Sequence, residues 1–144
     1  MRVEITASAL GAIRAAAGAA QPNECCGLLI GRRDSAICRI TRAVAAANVA
    51  DDPARRFEVD PVVLLATHRL ARDAGEAVIG PYHSHPGGAA EPSATDLARA
   101  RDGAAAGDVW VIVGGGAMRA TLVRAYAFDG NAFAEAELAE VPES

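Results

Sequence analysis

Two of the three histidines in this 144-residue chain stand one residue apart, in the stretch GPYHSHPGGAAEPSATDLARA, residues 80–100. Alternate residues of a strand project from the same face, so His83 and His85 stand side by side, roughly 6.5 Å apart at the backbone. Ser84 then points the other way, into the sheet packing. The Gly- and Pro-rich PGGAAEP turns the chain back, and Asp96 falls in the first turn of a helix opened by Ser93. Two imidazoles and one carboxylate make three ligands and leave a fourth tetrahedral position for water, the open form of a catalytic zinc site. Zinc lowers the pKa of a bound water towards ~7, and such a site needs a general base to take and return protons. Each half also has a plainer reading. A His-x-His pair can be polar strand surface, and Ser-x-x-Asp is a capping-box variant that stabilises many helices. At this spacing, with glycines and prolines between them, the two halves point to a metal centre.

The elements that must carry these residues follow from periodicity and punctuation. Residues 2–5 read as a short strand. Thr6 or Ser8 caps a helix with Leu10, Ile13 and Ala17 on one face. CCGLLIGRR is a short apolar run that reads as a buried strand, and AICRITRAVAAAN is its hairpin partner across Arg32–Ser35. RRFEVD reads as another brief strand. Asp60 followed by Pro61 is an N-cap with proline at the first helical position. Val63, Ala66, Leu70 and Ala74 then share one side until Gly75 ends the helix. AVIGPYHSH is a strand. The Ser93 helix places Leu97, Ala100 and Ala104 on one face. VWVIVGG is a buried strand, and ATLVRAYAF and AFAEAELAEV flank an Asp129-Gly130 hairpin turn. The expected fold class is α/β in its α+β layered form: a mixed sheet of about six to eight strands with three helices.

Length and composition fit one domain spanning residues 1–144 with its own core. Apolar residues make up 51% and charged residues 22%, which argues against disorder. A net charge of −4 gives no basic footprint for nucleic acid. No stretch has the apolar length of a membrane span, and Glu4 and Arg14 break up any signal-peptide core. Three cysteines, an odd number, read as reduced thiols in a cytoplasmic protein.

HSHPGGAAEPSATD resembles the signature of the JAMM metallopeptidases, also called MPN-plus domains: His-x-His-Pro, seven residues between the second His and a Ser, then x-x-Asp. NECCGLLIG resembles the early-strand glutamate of that family, followed by a Cys-Gly-Leu run, and RRFEVDP and PYHSHP resemble its prokaryotic branch. The resemblance covers nearly the whole chain. It implies a curved mixed sheet related to that of the cytidine deaminases. It also implies one Zn2+ per chain, held by His83, His85 and Asp96. Glu24 would be the acid/base that activates water, and Ser93 would hydrogen-bond the oxyanion, a role that suits a donor aimed at developing charge. The implied substrate is a ubiquitin-like or sulfur-carrier protein cut after its C-terminal Gly-Gly, a tail small enough to lie along a sheet edge. Pro81 stands where relatives often carry a bulky residue, and implies one-sided pairing or a bulge just before the site. The chain also lacks the long insertions with which eukaryotic deubiquitinases of the family grip ubiquitin.

Cys25 and Cys26 are adjacent on a strand and face opposite sides, so Cys26 shares a face with Glu24 and is expected near the metal, as a neighbour or, less favoured, a ligand. A thiolate nucleophile paired with His83 is the competing chemistry, although buried free Cys usually behaves as a small hydrophobe. His68 reads as a solvated helix residue. A non-catalytic scaffold of the same fold is the alternative from another class, and the intact set Glu24, His83, His85, Ser93 and Asp96 argues against it. A zinc deaminase needs His-x-Glu and Pro-Cys-x-x-Cys, which are absent.

Overall fold

The computed structural model describes residues 1–115 and 122–143. Among these described residues three helices and seven strands follow one another as β1 (Arg2–Thr6), α1 (Ala7–Ala20), β2 (Cys26–Arg33), β3 (Ile37–Ala46), α2 (Pro61–Asp73), β4 (Ala77–Pro86), α3 (Ala94–Gly103), β5 (Val109–Gly115), β6 (Leu122–Phe128) and β7 (Phe133–Val141). Ala120 and Thr121, included in the expected strand ATLVRAYAF, lie outside the described residues.

The mixed sheet curves until it closes, in the order β1-β3-β2-β4-β5-β6-β7. β1 closes it by pairing in parallel with β3 on one side and β7 on the other. One face of the strands meets α1. There Val3, Ile5, Leu29, Ile40, Tyr82, Val111 and Val113 pack around Leu10, Ile13 and Ala17, the helix face expected from periodicity. Thr6, not Ser8, caps α1 by accepting from Ala9 N–H. On the other face α3 lays Ala100, with Leu97 and Ala104 beside it, over Cys26, Phe57, Trp110 and Phe128.

Three local readings change. RRFEVD is not a strand: only an isolated bridge between Asn48 and Val59 forms, and the rest is loop. α2 starts at the Asp60 cap, which accepts from Val62 N–H, but it buries Thr67 and Ala71 rather than Ala66, Leu70 and Ala74. Its run VVLLA is apolar on several sides, so periodicity does not single out one face. Thr67 can turn inward because its hydroxyl donates to Val63 O at 2.7 Å. The β6–β7 hairpin turns through residues 129–132 rather than two, with Asp129 Oδ1 accepting from the N–H groups of Asn131 and Ala132.

β4 carries the decisive irregularity. Its register with β2 slips between Leu29↔Gly80 and Ile30↔Val78, leaving Ile79 as an extra residue. A bulge re-aims the side chains that follow it. Ile79 joins the α1 core, while two residues later the chain presents Pro81, His83 and His85 to the opposite face. Pairing with β5 begins only at Tyr82, so Pro81 is paired on the β2 side alone. A Cβ on Gly80 would overlap the Val109 carbonyl oxygen, which restricts that position to glycine.

Candidate metal centre

β4 places His83 and His85 on one face, and the cap of α3 brings Asp96 to them. His83 Nε2, His85 Nε2 and Asp96 Oδ2 lie 3.1 Å from one another. Three atoms that can each offer a lone pair crowd one point, and they repel unless a cation or proton lies among them. Bonds of about 2.0–2.1 Å to a small tetrahedral cation set ligand atoms about 3.3 Å apart, close to the spacing observed. His85 Nδ1 lies 3.0 Å from Ala89 O. An N–H there leaves Nε2 with its lone pair towards the triangle, the arrangement that usually orients a ligating imidazole. His83 is fully buried, and its Nδ1 has no partner among the described residues. Phe57 stacks on its ring at 4.2 Å and 20°, and Trp110 meets it edge-on at 5.8 Å.

Asp96 belongs to both the centre and the helix. Its N–H donates to Ser93 Oγ at 3.0 Å, and its Oδ2 accepts from Ser93 N–H at 2.9 Å, a reciprocal capping box. The oxygen that faces the histidines is therefore oriented by the start of α3. Ser93 is exposed, and while its oxygen accepts from Asp96 its own proton remains available to donate outward. Ser84 turns away as expected and accepts from Cys25 N–H at 2.8 Å.

Glu24 arrives from the other side of the site. β2 begins at Cys26, which pairs directly with His83, and the residues just before it carry Glu24 past the triangle. Glu24, His83 and His85 each offer a donor atom within 4.8 Å of the others, a second grouping able to hold a metal ion. Glu24 is 5% exposed, and its Oε1 has no partner among the described residues. A buried unpaired carboxylate oxygen is costly, which again fits a cation or a water held at this point.

Burial pushes the Glu24 carboxyl up to about 7; His85 opposes the shift and Asp96 adds to it. Burial also lowers His83, more than Asp96 raises it, so its imidazole is neutral. For His85 burial acts downward, but Asp96, the Ala89 carbonyl and Glu24 together carry it upward. Burial opposes ionisation of Asp96 as well, and hydrogen bonds from His83 and His85 overcome it and hold the carboxyl well below its usual range. Cys26 does lie on the site's face, opposite Cys25 as expected, with both thiols buried. Burial, with Cys25 and Glu24 nearby, pushes the Cys26 thiol up to about 12. A thiol so disinclined to ionise is a poor nucleophile. His68 is exposed on α2.

Beside the centre a cleft of about 510 Å3 opens between α2 and α3, sharing Phe57 and Trp110 with the wall around His83. Phe57 had no signal of its own, because RRFEVD reads as a strand of the sheet rather than as a loop folded over the histidines.

Residues 6–128 match the family of prokaryotic homologs of the JAB domain. The chain belongs to this family. Among curated relatives of this JAB-family chain, a desampylase of Haloferax volcanii is 39% identical over 65% of the chain and 66% of its own length. A probable TtuB-protein conjugate cleaving protease of Thermus thermophilus is 35% identical over 56% of the chain and 51% of its own length. The matched segments thus span slightly under two thirds and about half of these relatives. A solution structure of a Desulfitobacterium hafniense protein superposes with a TM-score of 0.83 at 27% identity, covering 98% of this chain and 94% of that one. A JAB1/MPN domain protein of Archaeoglobus fulgidus shares the fold, with a TM-score of 0.58 at 24% identity over 97% and 98% of the two chains. No helix of the described residues is long and apolar enough to cross a membrane.

Proposed function

We propose that residues 1–144 form one zinc isopeptidase domain. It hydrolyses the amide bond that follows the C-terminal Gly-Gly of a ubiquitin-like or sulfur-carrier protein. The observation that carries this reading is the 3.1 Å triangle of His83 Nε2, His85 Nε2 and Asp96 Oδ2 with the Glu24 carboxylate beside it. The desampylase and the TtuB-conjugate protease support the substrate class by their names. The three buried free thiols suit a reducing cytoplasm.

His83, His85 and Asp96 hold the zinc. When bound, zinc lowers the pKa of a water towards about 7 and polarises the scissile carbonyl. Glu24 accepts a proton from the attacking water and passes it to the leaving amine, the two transfers of a positioned general acid–base. The Ser93 hydroxyl donates to the carbonyl oxygen as charge develops there. Phe57 and Trp110 keep water away from His83. Among the described strands the closed ring leaves none unpaired along its whole length. Pairing is nonetheless incomplete along single strands, since β3 has no β1 partner beyond Ile40 and β4 none on the β5 side before Tyr82, and such a free segment accepts an extended tail by strand addition. Glycines suit that approach, because they let the backbone come close where a side chain would clash.

The test uses a β-grasp protein ending in Gly-Gly, joined by an isopeptide bond to a fluorescent lysine peptide, with products read by mass spectrometry. The zinc-loaded protein is expected to release a product ending in intact Gly-Gly. Chelation and His85→Ala should each abolish cleavage, with His85→Ala losing its zinc by elemental analysis. Glu24→Gln should keep zinc and lose about 10²–10⁴-fold in turnover. Cleavage that survives chelation but stops on thiol alkylation would overturn the metallopeptidase reading. Equal rates on unrelated unfolded peptides would overturn the tail specificity.

A further inference from the structure

We propose that Asn48 is the positioning residue that holds Glu24 at the metal centre. The Glu24 side chain does not fix its own direction, because Oε1 finds no partner among the described residues. Its aim must come from the main chain; the ladder starts at Cys26, and β4 holds the intervening Cys25 through Ser84, on its N–H and its C=O, without reaching the peptide groups of Glu24. The segment 48–58 does reach them. Glu24 N–H donates to Pro53 O at 2.8 Å, and Glu24 O accepts from Asn48 Nδ2 at 3.1 Å. Asn48 Nδ2 also reaches Arg56 O at 3.0 Å and Pro53 O at 3.4 Å. Its Oδ1 accepts from the N–H groups of Ala50 and Glu58, each at 3.1 Å.

One half-buried amide thus closes the loop with its oxygen and ties that loop to Glu24 with its nitrogen. The same loop delivers Phe57 onto the His83 ring. No other side chain of this length both donates and accepts in this way: Asp has no donor, and Ser has a single hydroxyl. Asn48 touches neither the ligands nor the reacting atoms. It acts through Glu24, and the inference rests on Glu24 being the acid/base.

The experiment is a double-mutant cycle on the zinc-loaded full chain with the same fluorescent conjugate. Asn48→Ala is expected to lower kcat about 10–100-fold, the order that a small misplacement of a reacting group costs. KM should change less than about threefold, and zinc should stay stoichiometric, because the triangle belongs to β4 and α3. In the Glu24→Gln background the same substitution should change the residual rate less than about twofold, since groups acting as a unit are non-additive. Asn48→Asp keeps the accepting oxygen but faces three carbonyls with another, and should lose at least as much as Asn48→Ala. If the alanine variant does not fold, Asn48→Ser, with one donor and one acceptor, carries the same cycle. Full activity in Asn48→Asp, or a loss that multiplies with that of Glu24→Gln, would overturn the proposal. Normal turnover in Glu24→Gln removes the acid/base reading and this inference together. A dead Glu24→Gln beside a fully active Asn48→Ala removes this inference alone.

Discussion

At the scale of single residues, the site is a set of burial costs that offset one another. Burial drives His83 and Glu24 towards their neutral forms, while hydrogen bonds from His83 and His85 hold Asp96 ionised and Asp96 in turn raises His85. Glu24 has a consequence for stability. Its carboxyl titrates near about 7 in the folded chain against an ordinary 4.5. Between those values the folded protein keeps a proton that the unfolded chain has released, so stability falls as pH rises through this window. In the chelated protein, urea midpoints should therefore decline from pH 5 to pH 7, and Glu24→Gln should flatten that decline. A decline of the same steepness in the variant would assign it to another group.

Among the elements, α3 and β4 carry the centre, and each does so by a feature that also serves the fold. The capping box starts α3 and orients Asp96. Removing the Ser93 hydroxyl separates the two roles, because Asp96 Oδ2 still accepts from the Ser93 main chain. Ser93→Ala should cost about 0.5–2 kcal/mol as a lost cap, keep its metal, and lose about 10²–10³-fold in kcat if the hydroxyl stabilises the oxyanion. Urea titration and steady-state kinetics on one preparation read both effects. Stability loss with unchanged kcat would leave Ser93 as a cap only. In β4 the extra residue at Ile79 performs the corresponding service. It lets Ile79 face the α1 core and the histidines face away from it, an arrangement that strict alternation forbids.

For the whole molecule, closure depends on β1, a five-residue strand with partners on both sides. Ile5 is fully buried in the core under α1. Ile5→Ala should cost about 2–5 kcal/mol by lost transfer and a residual cavity. It should lower the urea midpoint with the slope unchanged. The metal centre lies on the opposite face of the sheet, so the folded fraction should keep its kcat. A fall in kcat with the midpoint unchanged would couple the core to the site in a way that the packing does not suggest.

The triad His83, His85 and Asp96 was legible before folding because its rules are local. Two strand positions of one parity and a capping-box aspartate thirteen residues after the first need only the pleat, a turn and a helix start. The faces of α1 and α3 were legible for the same reason, each having one apolar stripe. The α2 face was not, because VVLLA offers several stripes and contacts with β2 and β4 choose among them. Glu24 was named through resemblance alone; what brings it to the histidines is the antiparallel pairing of Cys26 with His83, a long-range register that no local pattern encodes. Phe57 and Asn48 lie at loop positions, where periodicity carries no information, and they acquire partners only when the chain folds back over β4. The closing of the ring depends on accumulated twist across seven strands, which only the assembled sheet can decide.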